Sequence, residues 1–457
     1  MTRPGYGGKV AKSQRVAGCA IKNVWWWQEV TILASEAARA LFLKQLHPRY
    51  RPLAGLLRCA LGRHVMIVAD GKQWQDTHAA LVGLFAPVHV HSQYVPVIEA
   101  MATETFTRLA AACDTDAAGE TDVEALMRTL LGRIMGFVAF GRPLGMDEAR
   151  ELQQRLDAVV PRVPERGGAS FDSLLAVLFR LFGCPERQPF WLPRSQRTAI
   201  GALLSWIGKQ VDAARSSGTA MPLIDALERR FGPADEKRLR HCVATECAML
   251  FMAGIETTAS ALTFALAEIA SDPQLQARIA ADARQEAARA PAEKSVTARF
   301  GFIHCVIQET LRRHTIVPTV LREAAVDHAV QGEPGAANGA APMRIRRGSI
   351  LRYLPIYGHL RRSVWERPYA FNPDRFDHPL THEQRRNYNP FGLGPQSCLG
   401  RNLAVVEATI VLQVLFKSLD IEHKPLSGEI PLQPRNVFFT NRPLGIRLRF
   451  KAAPGVG

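Results

Sequence analysis

From Asp235 to Ala270 the chain carries one continuous helical pattern, and its middle, "CAMLFMAGIETTASALTFALAEIA", is apolar on nearly every face. Such a helix spans about 50 Å, the width of a whole globular protein of this size. Apolar all round, it has to be wrapped by other elements, so the remaining chain must build a core around it. With 457 residues, 47% of them hydrophobic, there is enough material to do so. No uninterrupted apolar run of about 20 residues occurs, so neither a membrane span nor a membrane anchor is expected.

The flanking pattern sets the fold class. Residues 25–35, "WWWQEVTILAS", read as short strands that end on a Ser cap. From about residue 36 to 313 most apolar spacing is helical, clearest in "DEARELQQRLDAVV", in "QRTAIGALLSWIGKQVDAARSSG" and over residues 302–311. Residues 163–195, rich in Gly, Pro and Phe, read as a loop that caps a pocket or connects helices. After Pro318 turn residues and alternation predict strands, with a hairpin around a Gly-Ala loop at 331–342. Helix returns after Cys398, and the last 30 residues read as strands. No linker separates these parts. The expectation is a flexible N-terminus over residues 1–23 and one domain over 24–457, mainly α with a smaller β part.

The net charge of +15 favours acidic partners. The basic residues are scattered in short groups such as "RLRH" and "RIRR", with no basic arm interleaved with aromatics, so no nucleic-acid partner is expected. The N-terminus lacks the apolar core of a secretory signal. Eight cysteines form no CxxC pair, which fits free thiols in a reducing cytoplasm.

One of those thiols sits in an unusual place. "FGLGPQSCLG", residues 391–400, sets Cys398 among glycines and a proline, just ahead of a helix on which Leu399, Leu403, Val406 and Ile410 share a face. A helix N-terminus favours an anion, and Gly392, Gly394 and Gly400 allow backbone N–H groups to approach the sulfur, with Phe391 shielding one side. The residues by themselves allow a metal ligand, a nucleophile or a buried free thiol.

The pattern F-x-x-G-x-x-x-C-x-G resembles the cysteine-ligand loop of the cytochrome P450 haem-thiolate enzymes, of the soluble bacterial type. The resemblance implies that Cys398 ligates the iron of haem b (iron-protoporphyrin IX) and pushes electron density toward oxygen. Other segments match in the family's order. "AGIETT", Ala253, Gly254, Ile255, Glu256, Thr257 and Thr258, resembles the oxygen-binding groove of the long helix. Thr257 would back-bond to Ala253, opening the groove, and hydrogen-bond dioxygen, and Glu256 would relay protons. "ETLRR" supplies Glu309 and Arg312 of an ExxR pair, joined by Arg375 of "FNPDRF" in a network beneath the cysteine loop. Trp74 matches the family's W-x-x-x-R helix, with His78 where Arg is usual. Gln396 stands where the family usually has Arg or His, so Arg322 is expected to carry most of the contact with the haem propionates. Around Tyr357–Pro368, "YGHLRRSVWERP" is assigned packing and nothing more.

The activity implied is insertion of one oxygen atom from O₂ into a lipophilic organic substrate. Electrons would come from NAD(P)H through a ferredoxin or flavodoxin with its reductase, docked on a basic face at Arg361, Arg362, Arg385, Arg386 and Arg401. Peroxide-driven oxidation, coupling or rearrangement and a non-catalytic haem sensor are the alternatives, and the intact Glu256–Thr257 pair argues against both. The implied substrate pocket is lined by Ile255, Thr315, Ile316, Val317, Phe438 and Phe439, with Val65–Val68 and Phe179–Trp191.

Overall fold

Strands β1 (Gln14–Val16), β2 (Cys19–Val24) and β3 (Trp27–Ile32) run antiparallel to one another near the start of the chain. The structure, a computed structural model, describes residues 14–16, 19–24, 27–32, 39, 41–43, 47–49, 58, 61–114, 119–159, 194–232, 235–286, 301–330, 343–422, 435–437, 440–443 and 445–453. Strand pairing thus begins earlier than the expected boundary at residue 24. Residues 14–16 and 19–24, placed by their basic, Gly-rich context in a flexible tail, are held by ladder hydrogen bonds to β3 and to each other.

The principal helices follow in order: α1 (Gly71–Leu81), α2 (Val95–Asp114), α3 (Val123–Phe140), α4 (Met146–Val159), α5 (Arg194–Ser216), α6 (Pro222–Phe231), α7 (Glu236–Ala270), α8 (Pro273–Glu286) and α9 (Gly301–His314). Next come strands β4 (Val320–Glu323), β5 (His328–Val330), β6 (Met343–Ile345) and β7 (Ile350–Tyr353), then helix α10 (Arg401–Ser418). The first sheet has the order β1-β2-β3-β7-β4, with β3 and β7 parallel and β4 antiparallel to β7. β5 and β6 form the expected hairpin, although its loop, like residues 163–193, lies outside the described residues. Short strands close the chain, among them β8 (Leu419–Ile421), β9 (Arg435–Val437) and β10 (Thr440–Arg442).

Helix α7 is the long apolar helix. Asp235 caps its start, accepting a hydrogen bond from the Arg238 N–H. By length and composition it could cross a membrane, but 67% of its most apolar stretch is buried inside the protein. Helices α3, α5, α6, α9 and α10 pack around it. Cys247, Phe251, Ile255, Leu262, Phe264 and Leu266 have no exposed surface. A second, smaller core lies under the sheet, where Val30, Ile32, Leu351 and Tyr353 meet Leu41 and Phe42. Leu262→Ala, in the fully buried stretch of α7, should cost about 2–5 kcal/mol of stability. The denaturant midpoint should fall with the slope of the transition unchanged.

Candidate active site

Cys398 is fixed by its turn before α10 begins. Its N–H donates to the Phe391 carbonyl at 2.9 Å, and the Ser397 N–H donates to the Gly394 carbonyl at 3.0 Å. Gly392 and Gly394 hold φ of 77° and 73°. Gly394 has a second reason to lack a side chain, since a Cβ there would lie 2.0 Å from the Phe42 carbonyl oxygen. Gly400 caps the helix with φ of −82°, and an added Cβ would touch nothing. The Gly400 N–H favours the thiolate of Cys398. The cysteine is accessible on one side and enclosed by protein on the others. Burial pushes its thiol up, opposed by the Gly400 N–H and the Arg401 guanidinium. Phe391 packs half-buried against the core beside it. Leu399 precedes the helix, whose buried face is carried by Leu403, Val406 and Ile410.

The floor under this turn is a buried ionic network. Glu309 and Arg312 on α9 have fully buried side chains and pair through two hydrogen bonds of 2.6 and 2.7 Å. Arg375 reaches the same carboxylate at 3.4 Å, and the Asn372 N–H donates to it at 2.9 Å. Arg312 also donates to the carbonyls of His359 and Pro368, each at 2.8 Å, and of Ala370 at 3.3 Å. Expected only to pack, "YGHLRRSVWERP" instead carries connecting hydrogen bonds. His359, fully buried, bonds Thr315 through Nδ1 at 2.8 Å and accepts the Asn389 N–H through Nε2 at 3.0 Å. Desolvation drives its pKa down to about 3, so it serves as a neutral acceptor. Trp365 lies under the Arg312 guanidinium at 5.3 Å and donates to the Gly358 carbonyl.

On α7 the two paired residues face different ways. Thr257 Oγ1 donates to the Ala253 carbonyl at 2.7 Å, and both residues are accessible. The helix is α-helical throughout, with the expected back-bond in place. Gly254, expected beside the cofactor, is where α3 comes close: a Cβ there would lie 3.0 Å from Met135 Sδ. Glu256 points away from Thr257 into a charged cluster absent from the sequence reading. It pairs with Arg128 of α3 at 2.6 Å and with Arg442 of β10 at 3.2 Å. Arg128 also binds Asp157 at 2.6 Å, and Arg442 binds Glu124. Nothing in the local sequence pairs these positions, because each lies on a different element.

Trp74 is buried in α1, with His78 stacked on it at a ring separation of 4.8 Å. Burial lowers the His78 pKa, so near neutrality the ring carries no charge. Arg322 donates through Nε to Gln396 Oε1 at 2.8 Å, which ties β4 to the cysteine turn. The pocket residues are only partly brought together. Ile255 is fully buried in the core, Thr315 is buried against His359, and Ile316 is also core. Val317, Met66 and Ile67 are accessible. Phe438, Phe439 and residues 179–191 lie outside the described residues.

Comparison with known proteins agrees with this geometry. The family model for cytochrome P450 matches residues 23–450. The chain belongs to the cytochrome P450 family. Among curated relatives, the cytochrome P450 monooxygenase milC of Cordyceps militaris is 30% identical over 48% of the chain and 42% of its own length. Thromboxane-A synthase of Macaca fascicularis is 23% identical over 84% of the chain and 76% of its length. The chain therefore spans less than half of milC. The crystal structure of a cytochrome P450 (CYP102L1) superposes with a TM-score of 0.71 at 19% identity, covering 95% of this chain and 92% of that one.

Membership implies haem, and the residues present fit it. An exposed thiol stands at a helix start, on a turn glycines hold against Phe42. Beside it stands Arg322, half-buried and held well below its ordinary pKa by desolvation and by Arg49, as suits a guanidinium that receives an anion.

Two outcomes test the geometry. Glu309→Gln leaves Arg312 and Arg375 without their buried carboxylate and should cost about 3–5 kcal/mol, read by chemical denaturation. The second concerns Glu246 on α7, buried, whose two oxygens accept the Met66 N–H at 3.1 Å. Burial raises its pKa from 4.5 to about 8, against the opposing Met66 N–H and Arg230. The folded protein keeps a proton that the unfolded chain releases, so this stability is present at acidic pH and lost as pH rises toward 8. Glu246→Gln should flatten the fall in stability between the unfolded and folded pKa values of 4.5 and about 8; an unchanged pH slope would show that Glu246 is ionised in the folded protein.

Proposed function

We propose that this chain is a haem-thiolate monooxygenase that inserts one oxygen atom from O₂ into a lipophilic substrate, with residues 24–457 as a single catalytic unit. The observation that carries the reading is the Cys398 turn: an exposed thiol at the start of α10, on a glycine turn closed by the Cys398 N–H to Phe391 and the Ser397 N–H to Gly394. Bound to Cys398, haem would supply the electron-transfer and oxygen-activating chemistry. Cys398 would provide the thiolate, giving up its proton on coordination. Arg322, oriented through its bond to Gln396, would hold a propionate.

Thr257 offers a hydroxyl on the accessible side of α7, where its proton is engaged by Ala253 and its lone pairs are free to accept. Glu256 is positioned to carry protons only after releasing Arg128 and Arg442, so its part in proton delivery is a rotation out of a salt bridge. Met66, Ile67 and Val317 present apolar surface for a lipophilic substrate.

Electrons would come from NAD(P)H through a separate ferredoxin or flavodoxin with its reductase. Arg361, Arg362, Arg385 and Arg401 are exposed, as an acidic partner's docking face requires, and Arg386 is half-buried. Cys113, Cys242, Cys247, Cys305 and Cys398 are free thiols, in keeping with a reducing compartment.

The deciding experiment is the absorption spectrum of the dithionite-reduced protein under carbon monoxide. A strongly red-shifted Soret band, lost in Cys398→Ser, is expected. A band at the position of histidine-ligated haem would overturn thiolate ligation, and a protein that takes up no haem would overturn the catalytic reading.

A further inference from the structure

Arg49 is a residue to which neither the motifs nor the comparisons assign a role. It lies ahead of α1, where the chain runs antiparallel against the edge of β4: Arg49 and Arg322 form a β-bridge, and the Glu323 N–H donates to the Pro48 carbonyl at 2.9 Å. Residues directly opposite in an antiparallel bridge put their side chains on the same face, about 5 Å apart at Cβ. Like charges at that spacing repel, and burial makes the repulsion worse. Yet both side chains are half-buried, and Arg49 Nε has no solvent contact.

The charges around them do not balance. Arg58 lies in the same cluster, and Asp70 is the carboxylate that acts on both Arg49 and Arg322. Asp70 is already engaged: Oδ1 accepts the Arg49 backbone N–H at 2.9 Å, and Oδ2 accepts Arg58 Nη2 at 2.7 Å. Three guanidiniums and one carboxylate leave an excess of two positive charges. Arg49 Nε is buried without a hydrogen-bond partner. Burial brings the Arg49 pKa down to about 10, partly offset by Asp70, and holds that of Arg322 well below its ordinary value. A buried donor left unpaired next to a buried like charge is costly, and such an arrangement persists where an anion completes it.

The location identifies the anion. Arg322 is hydrogen-bonded to Gln396, two residues before Cys398, so the cluster adjoins the cysteine turn. The two usual cations of this neighbourhood are missing, since Gln396 is an amide and His78 is neutral.

We propose that Arg49 and Arg322 together form the haem-carboxylate clamp of this protein, with Arg49 standing in for the cations that Gln396 and His78 do not supply. The inference rests on the haem reading above. Gln396 then acts as a positioning residue: its oxygen occupies Arg322 Nε, the Leu321 carbonyl takes Nη1 at 2.8 Å, and Nη2 is left for the ligand. The dicarboxylate of iron-protoporphyrin IX cancels the excess of two charges.

The experiment uses the full chain loaded with haem, transferring haem to excess apomyoglobin. Arg49→Met should lose haem at least about tenfold faster than wild type, as expected for a lost charge-assisted contact. Arg49→Lys, which keeps the charge without the planar fork, should fall between them and serves if the Met variant does not fold. Haem dimethyl ester, with both carboxylates blocked, should leave wild type and variant at the same rate. The haem-free Arg49→Met protein should melt at a higher temperature than haem-free wild type, because a buried repulsion has been removed. Equal haem loss from wild type and variants would overturn the clamp while leaving the haem reading intact. Loss of the ester accelerated by the same factor as loss of haem would overturn it too, showing that Arg49 only packs. A wild-type protein that binds no haem would overturn both.

Discussion

Arg312 has no exposed side-chain surface, and every direction in which it can donate is used. Its fork is closed by Glu309 on the same helix, and its remaining N–H groups reach carbonyls of His359, Pro368 and Ala370. A charge taken out of water at that depth is tolerable only when both the ion pair and the hydrogen bonds are complete. That requirement turns a single side chain into a constraint on a long, irregular stretch. The segment from His359 to Ala370 must pass under α9, and Arg375 must return to the same carboxylate. His359, neutral and wedged between Thr315 and Asn389, carries the constraint on to the cysteine turn. The position of the Cys398 sulfur is therefore set from below by a buried ion pair and from the side by the contact of Gly394 with Phe42.

Two charged clusters frame the site and work in opposite senses. On the far side of α7, Glu256, Arg128, Asp157, Arg442 and Glu124 form a network in which each charge has a partner. It joins α3, α4, α7 and β10, and it holds the Glu256 carboxylate away from the accessible face that Thr257 occupies. Burial works against the Arg128 charge, but its bonds to Asp157 and its nearness to Glu256 outweigh that and keep it firmly protonated. At the edge of β4 the reverse holds. Arg49, Arg58 and Arg322 outnumber Asp70, burial lowers the pKa of both Arg49 and Arg322, and Arg49 Nε lacks a partner. Arg128 Nε lacks a partner as Arg49 Nε does, so what separates the two clusters is charge: a balanced network is a structural joint, and an unbalanced one beside an accessible thiol has the character of a binding site.

Helix α7 connects these features to the core. Its apolar faces are held by other helices, and it leaves only short accessible stretches, among them Ala253 and Thr257. Gly254 allows Met135 to approach and brings α3, with Arg128, within reach of Glu256. The close packing of two helices and the ionic joint beyond it thus depend on one small residue.

Much of this was legible along the chain because the signals are local. An all-round apolar 35-residue helix declares itself as the centre of a core. Glycines around a cysteine at a helix start announce a held thiolate, and Glu309 and Arg312 sit one turn apart on a pattern that reads as helix. The β5–β6 hairpin and the closing strands follow from alternation and turn residues. Charge pairing across elements was not legible, and neither was burial. Glu256 binds residues more than a hundred positions away on either side. Ile255 and Thr315 carry side chains equally suited to a pocket wall or a core, and only packing put them in the core. His78 is a cation or a neutral ring according to how much water reaches it. The N-terminal strands looked like a tail because edge pairing is decided by the partner strand. Sequence by itself determined the helices, the turn and the thiol, since these depend on neighbours in the chain. Tertiary structure decided which charges are paired, because Coulomb and desolvation energies depend on distances and burial that no linear pattern contains.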